Sequence, residues 1–483
     1  MISRKFFFVL LVLSTFVVFV LPTASASTAS DKIAARVLNE TAKGGSTEAL
    51  VVLAAQADLT PAASLHTKLE KGRFVVNALR KVADRTQPPL VALLRQRGVP
   101  YQPFYIVNMI MVRGNRALRE ELAARNDVAE IDANPHVRTA LPVATGVDRK
   151  VRHETIEWNV EQVHAPEVWA LGFHGEGLVV AGADTGVQWD HPALKNHYRG
   201  WKGNKVSHNY NWHDAVDHSR VPFDPYGHGT FTVSEMVGDD GQGNQVGVAP
   251  GAKWIACRNM DANGTGSPAR YTECFQFLMA PYRFGSNFKH GNPKLAADSI
   301  NNSWICPPSE GCSPNTLLRV VNAVRAAGIF PAMAAGNDGP GCSSVYAPPS
   351  IYKPSVSMAA TDSTNTIASF SSRGPVTSDG SNRRKPDLSA PGVDVRGAVP
   401  GNGYNSGWSG TSMATPHAAG GVALIWQAKP ILDGNVSGTE KLLETTALHL
   451  TNTDGCGGDS NNKVPNNTYG YGLLDLYKAV KAQ

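Results

Sequence analysis

Five short, strand-like runs of mostly apolar and small residues, at residues 178–183, 253–257, 297–303, 329–334 and 355–360, set the strongest limit on how this chain can fold. A sheet with one wet face alternates apolar and polar side chains. These runs do not alternate, so their strands are expected to be buried on both faces. Helix-length segments lie between and after them, most clearly at 270–284, 315–327 and 412–427. Strands alternating with helices predict an α/β fold, a parallel β-sheet flanked by helices, with functional groups gathered at the carboxyl ends of the strands. At 483 residues the chain has length for that core and for a smaller unit besides.

The beginning of the chain reads differently. Arg4 and Lys5 precede an apolar run from 6 to 21 and the small residues Ala24-Ser25-Ala26, which predicts a signal peptide over 1–26, cut after Ala26. The run is short for a membrane span, and no later stretch approaches the roughly 20 apolar residues a span needs. No membrane attachment is expected once the signal is removed. All six cysteines (Cys257, Cys274, Cys306, Cys312, Cys342, Cys456) follow residue 150. With an export signal, an even number predicts three disulfides and a secreted protein, extracellular or periplasmic in transit. Cys306 with Cys312 and Cys257 with Cys274 are the local pairings; no CxxC pair supports zinc.

Charge is unevenly divided. The net charge of +5 splits into +2 for 1–26, +6 for 27–150 (18 basic against 12 acidic) and −3 for 151–483 (25 against 28). The basic excess lies upstream of the residues that carry chemistry, so nucleic acid is not an expected partner. Within 27–150, residues 46–137 show a β-like run (48–55), helical stretches (64–82, 89–97), an apolar run (104–112), a polar helix-like segment (116–125) and a short apolar stretch (128–131). This order predicts a small α+β module without cysteine or catalytic motif. The polar connection 138–158 reads as an exposed, cleavable linker, which puts the boundary between a leader of 27–150 and a second domain of 151–483.

Three motifs in that second domain carry chemistry jointly. Val179-Val-Ala-Gly-Ala-Asp184 ends an apolar strand on a carboxylate, which needs a donor there. Gly227-His228-Gly229 sets an imidazole at a helix start, between glycines that allow close approach. Gly410-Thr-Ser412-Met-Ala opens a helix of small residues, where backbone N–H groups can meet a developing oxyanion. Singly, each has an ordinary structural explanation. Their order, Asp then His then Ser with gaps of 44 and 184 residues, is that of the subtilisin triad and differs from those of chymotrypsin and the α/β-hydrolases.

On these motifs the chain resembles the subtilisin (subtilase) family, in its bacillopeptidase F-like branch. The similarity extends through Gly247-Val-Ala-Pro250, Asn301-Asn-Ser-Trp304, Ala334-Ala-Gly-Asn337, Ala368-Ser-Phe-Ser-Ser-Arg-Gly374 and Lys385-Pro-Asp-Leu-Ser-Ala-Pro-Gly392. The module at 46–137 is similar to that family's inhibitor-like propeptide. The resemblance implies a serine endopeptidase acting on proteins and peptides as a monomer, with no cofactor for its chemistry. Ser412 would be the nucleophile, His228 the general base and Asp184 its orienting carboxylate, with Asn337 in the oxyanion hole. Gly264, Thr265, Gly266, Ser303 and Trp304 would line an extended substrate, and the propeptide would act as intramolecular inhibitor and folding helper. Trp304 is bulky for its position, which leaves the depth of the main specificity pocket open.

Rival readings fit less well. The loop 239–245 (Asp-Asp-Gly-Gln-Gly-Asn-Gln) offers oxygens to a structural calcium, but a solvated turn explains the same residues and is preferred. His417 stands five residues after Ser412, a spacing that does not share a helical face. Gly-Thr-Ser412-Met-Ala lacks the last glycine of GxSxG, and His153-Glu-Thr-Ile-Glu157 fails HExxH at its last position. A catalytically silent, protease-shaped binding protein is expected to lack one of Asp184, His228, Ser412 or Asn337, and all four are present.

Overall fold

Strand Val179–Asp184 (β1) lies inside a seven-stranded sheet whose every pairing is parallel. The fold is seen in a computed structural model that describes residues 29–138, 141–142, 146–148 and 155–483. The signal peptide expected over 1–26 and most of the connection 139–154 lie outside these residues. The other strands are Trp212–Asp214 (β2), Lys253–Arg258 (β3), Ser299–Asn302 (β4), Phe330–Ala334 (β5), Val356–Thr361 (β6) and Leu388–Pro391 (β7). They are arranged β7-β6-β5-β4-β1-β3-β2. Strand order therefore reverses beside β1, which opens a crevice at its carboxyl end, where Asp184 sits.

Helices cover both faces. His228–Val237 (α1) and Thr411–Ala428 (α4) pack on one side, and Pro268–Met279 (α2) and Leu318–Ala326 (α3) on the other. The ends of α2, α3 and α4 fall one to five residues from the sequence expectation. α2 stops at Met279 because Pro281 cannot extend it, and α3 starts at Leu318, after a turn in which Ser313 and Thr316 hydrogen-bond locally. α4 is buried from Thr411 to Trp426, which explains its run of alanines and glycines: small side chains let a central helix lie close to its neighbours.

The leader forms an antiparallel sheet of Thr47–Leu53, Tyr101–Phe104, Met109–Gly114 and Val128–Ala133. One face packs under Leu90, Leu94, Leu118 and Leu122, together with Val37 of helix Ala35–Thr41, so the unit begins well before residue 46. The opposite face, with Leu50, Val52 and Met109, shares one apolar core with Tyr271 and Phe275 of α2 and Val324 of α3. The apolar run 104–112 is not one strand. It breaks at Tyr105, whose backbone N–H, like that of Ile106, is donated to Gln276 Oε1 of α2 at 2.8 and 3.2 Å. Apolar residues occupy this turn because the turn is an interface.

Three disulfides join Cys257 to Cys274, Cys306 to Cys312 and Cys342 to Cys456. The first two are the expected local pairings.

Candidate active site

Asp184 and His228 meet at the end of β1. Asp184 Oδ1 accepts from His228 Nδ1 at 2.8 Å and from the Thr185 N–H at 2.7 Å, and both side chains are buried. With Nδ1 donating, Nε2 is the basic nitrogen, and it has no hydrogen-bond partner among the described residues. The Gly-His-Gly motif has a steric origin. Gly227 caps the helix at φ 106°, and a Cβ on Gly229 would collide with the Gly186 carbonyl oxygen.

Ser412 is the second residue of α4, so its backbone N–H is among the donors that an α-helix leaves unpaired in its first turn. Its Oγ donates to the Ser303 carbonyl at 3.1 Å. Asn337, on the loop after β5, is held through Oδ1, which accepts from both the N–H and the hydroxyl of Thr411 at 2.9 Å. Anchored by its oxygen, the amide keeps its NH₂ group for another acceptor. A cavity of about 100 Å³ opens here, lined by Ser303, Trp304, Ile305, Gly336, Asn337 and Ser412 among others. Trp304 is a fixed wall: its ring stacks on Tyr271 at 3.8 Å, and its Nε1 donates to the Ala183 carbonyl at 2.9 Å.

One of the two segments expected to line a substrate, residues 264–266, is paired with the chain's own residues. Val137–Arg138 pairs antiparallel with Thr265–Gly266. Further along, Pro142 lies against Gly410, and Tyr226 Oη reaches the Leu141 carbonyl at 3.4 Å. The described residues of this segment thus touch Thr265–Gly266, Tyr226 and Gly410 in turn.

Residues 175–472 match the family model described as the Subtilase family. The chain belongs to the subtilase family. It is 38% identical to Bacillopeptidase F of Bacillus subtilis (strain 168) over 434 residues, which cover 86% of this chain and 29% of that protein. It is 31% identical to Subtilisin Savinase of Lederbergia lenta over 333 residues, 68% of this chain and 100% of that protein. To M-protease of Shouchella clausii (strain KSM-K16) it is 30% identical over 333 residues, 68% and 70% of the two chains. The chain spans less than a third of Bacillopeptidase F and the whole of Subtilisin Savinase.

Subtilases are serine endopeptidases that need no cofactor for catalysis, and the parallel sheet flanked by helices is their fold. Several groups in this subtilase's site escaped sequence reading. Asp224 is the main one. Its carboxylate accepts from the Thr185 hydroxyl, the backbone N–H of Tyr226, Gly227 and Thr230, and the Thr230 hydroxyl, at 2.7–3.1 Å. It thereby ties the loop before His228 to the residue after Asp184. Burial pushes its carboxyl up from the ordinary range, against the pull of those donors. The Asp-Pro-Tyr-Gly-His spacing is that of an Asx turn but carries no signal of Thr185. The loop 239–245 does not suit calcium. Both Asp240 oxygens face donors, from Gln242, Asn244 and Tyr404, and Asp239 accepts from the Gly241 N–H. Oxygens already facing N–H and O–H groups are poorly disposed to a cation. His417 stays apart: Asn159 and the Met413 carbonyl engage its ring. Among the described residues, no helix is long and apolar enough to cross a membrane.

Proposed function

We propose that this protein is a secreted serine endopeptidase made as a self-processed precursor, in which Ser412, His228, Asp184 and Asn337 carry the reaction. One observation carries the reading: a buried Asp184–His228 pair with Nε2 unpaired opens α1, which packs against α4, the helix that begins at Thr411 and Ser412.

The steps follow from these atoms. Ser412 Oγ leaves the Ser303 carbonyl and attacks the scissile carbonyl carbon while His228 Nε2 takes its proton. Asp184 holds the imidazole in the Nδ1–H tautomer and stabilises the imidazolium. The oxyanion accepts from the Ser412 N–H and the Asn337 Nδ2. The imidazolium then protonates the leaving amine as the C–N bond breaks, which leaves an acyl-enzyme. Water, deprotonated by His228, releases the acid by the same path in reverse. Backbone pairing along Thr265–Gly266 reads an extended chain more than its side chains, which suits varied protein substrates. The leader, 27–150, helps a parallel sheet of long-range contacts to fold and blocks the crevice until it is cut.

The test is N-terminal sequencing and intact mass of the secreted protein, beside a Ser412→Ala chain from a protease-free host, followed by digestion of a peptide library. Wild type is expected to lose its leader and cut the library. The variant is expected to do neither. A processed Ser412→Ala protein would refute self-cleavage, and an inert wild type would refute the activity.

A further inference from the structure

A peptide strand has two edges, and the partner on the second edge of Val137–Arg138 is unusual. One edge pairs with Thr265–Gly266. On the other, the Arg138 backbone N–H is donated to a side chain, Glu310 Oε2, at 2.6 Å. We propose that Glu310 is a peptide-backbone acceptor of the substrate cleft, a specificity-determining residue that grips extended polypeptides by a main-chain N–H. The inference rests on the endopeptidase reading above and treats the leader as a stand-in for substrate.

Several features fix this carboxylate in place. Its loop is closed by the Cys306–Cys312 disulfide and begins directly after Trp304 and Ile305, which wall the cavity beside Ser412. The Cys306 N–H is donated to the Pro348 carbonyl at 2.7 Å, and the Glu310 N–H to the Pro307 carbonyl at 3.0 Å. The Glu310 carbonyl accepts from Arg36 Nη1 of the leader at 2.5 Å, so the same residue holds the leader twice. An ionised acceptor on a backbone donor makes a charge-assisted bond, stronger than a neutral one. Every residue except proline offers that N–H. The cleft should therefore accept many sequences at the position occupied by Arg138 and discriminate against proline or an N-methylated residue there.

The test compares two synthetic peptides of residues 134–142, one unmodified and one N-methylated at Arg138, as competitors of casein hydrolysis by processed wild type, Glu310→Ala and Glu310→Gln enzymes. N-methylation is expected to raise Ki about tenfold in wild type. Glu310→Ala should bind the unmodified peptide about tenfold more weakly and no longer distinguish the two. Glu310→Gln, which keeps a neutral acceptor, should retain part of the discrimination. A Glu310→Ala enzyme that discriminates as strongly as wild type overturns the proposal, as does a wild type indifferent to N-methylation, a result that stands even if the variant does not fold. Should processed wild type leave casein intact, the endopeptidase reading fails by itself. Glu310 is then judged from hydrogen exchange at the Arg138 amide in the full Ser412→Ala chain, which Glu310→Ala must accelerate; unchanged exchange also overturns the proposal.

Discussion

Ser303 and Ser412 exchange two hydrogen bonds: Ser303 Oγ donates to the Ser412 carbonyl at 2.9 Å, and Ser412 Oγ donates to the Ser303 carbonyl at 3.1 Å. The first bond has a cause four residues further on. Pro416 lies inside α4 and has no N–H to give to the Ser412 carbonyl, which would otherwise be satisfied within the helix. A buried carbonyl without a donor is costly, and Ser303 supplies one from β4's end.

Ser303→Ala should therefore destabilise the protein by about 1–3 kcal/mol, the cost of orphaning a buried acceptor. Adding Pro416→Ala should recover about 1 kcal/mol by restoring the helical donor. Urea denaturation in a Ser412→Ala background, where self-digestion is absent, measures both. Equal losses in the single and double variants would show that the carbonyl is not the issue.

Asn337→Ala is expected to lower kcat roughly 10²–10³-fold with little change in KM, the size of effect that follows removal of one such donor from a subtilisin. Because Oδ1 is anchored by Thr411, Thr411→Val should give a smaller loss in the same parameter. Steady-state kinetics on one peptide substrate decide the matter, and full activity in Asn337→Ala would exclude it from the oxyanion hole.

Asp224→Asn keeps the shape but turns an NH₂ group toward N–H and O–H donors. The loop that carries His228 should loosen. Expected outcomes are a loss of about 2–3 kcal/mol in stability and at least about a tenfold fall in kcat, KM moving less. A variant with normal kcat would make Asp224 a purely structural residue.

His417 gives a pH dependence. Its Nδ1–H donates to the Met413 carbonyl and its Nε2 accepts from Asn159 Nδ2, both at 2.9 Å, an arrangement that fits neutral imidazole only. Burial lowers its pKa from 6.5 to about 4. Between those values the unfolded chain binds the proton and the native one does not, so stability present above pH 6.5 is lost as pH falls toward 4, by up to about 3 kcal/mol. Comparing urea midpoints at pH 7 and 5 for the Ser412→Ala chain with and without His417→Gln isolates this contribution. Parallel pH profiles in the two proteins would contradict it.

Much of the site was legible in the sequence because its chemistry is local. A carboxylate ending an apolar strand, an imidazole between glycines and a serine opening a helix of small residues are each written in consecutive positions, and each sits where its motif implied. The strand-like runs of apolar and small residues likewise pointed to the parallel sheet, because burial on both faces removes alternation.

Tertiary structure alone decided the rest, since those contacts join residues with no shared periodicity. The Ser303–Ser412 exchange spans 109 residues, and the Arg138–Glu310 bond 172. Asp224 looks like any turn aspartate until folding brings Thr185 beside it. The run 104–112 reads as one strand because apolar residues seek burial, but only the docking of the leader on α2 determines that part of it is buried in a turn. Local sequence sets what each segment can do; which polar groups are left needing a partner, and which distant residue supplies it, is fixed when the layers pack and exclude water.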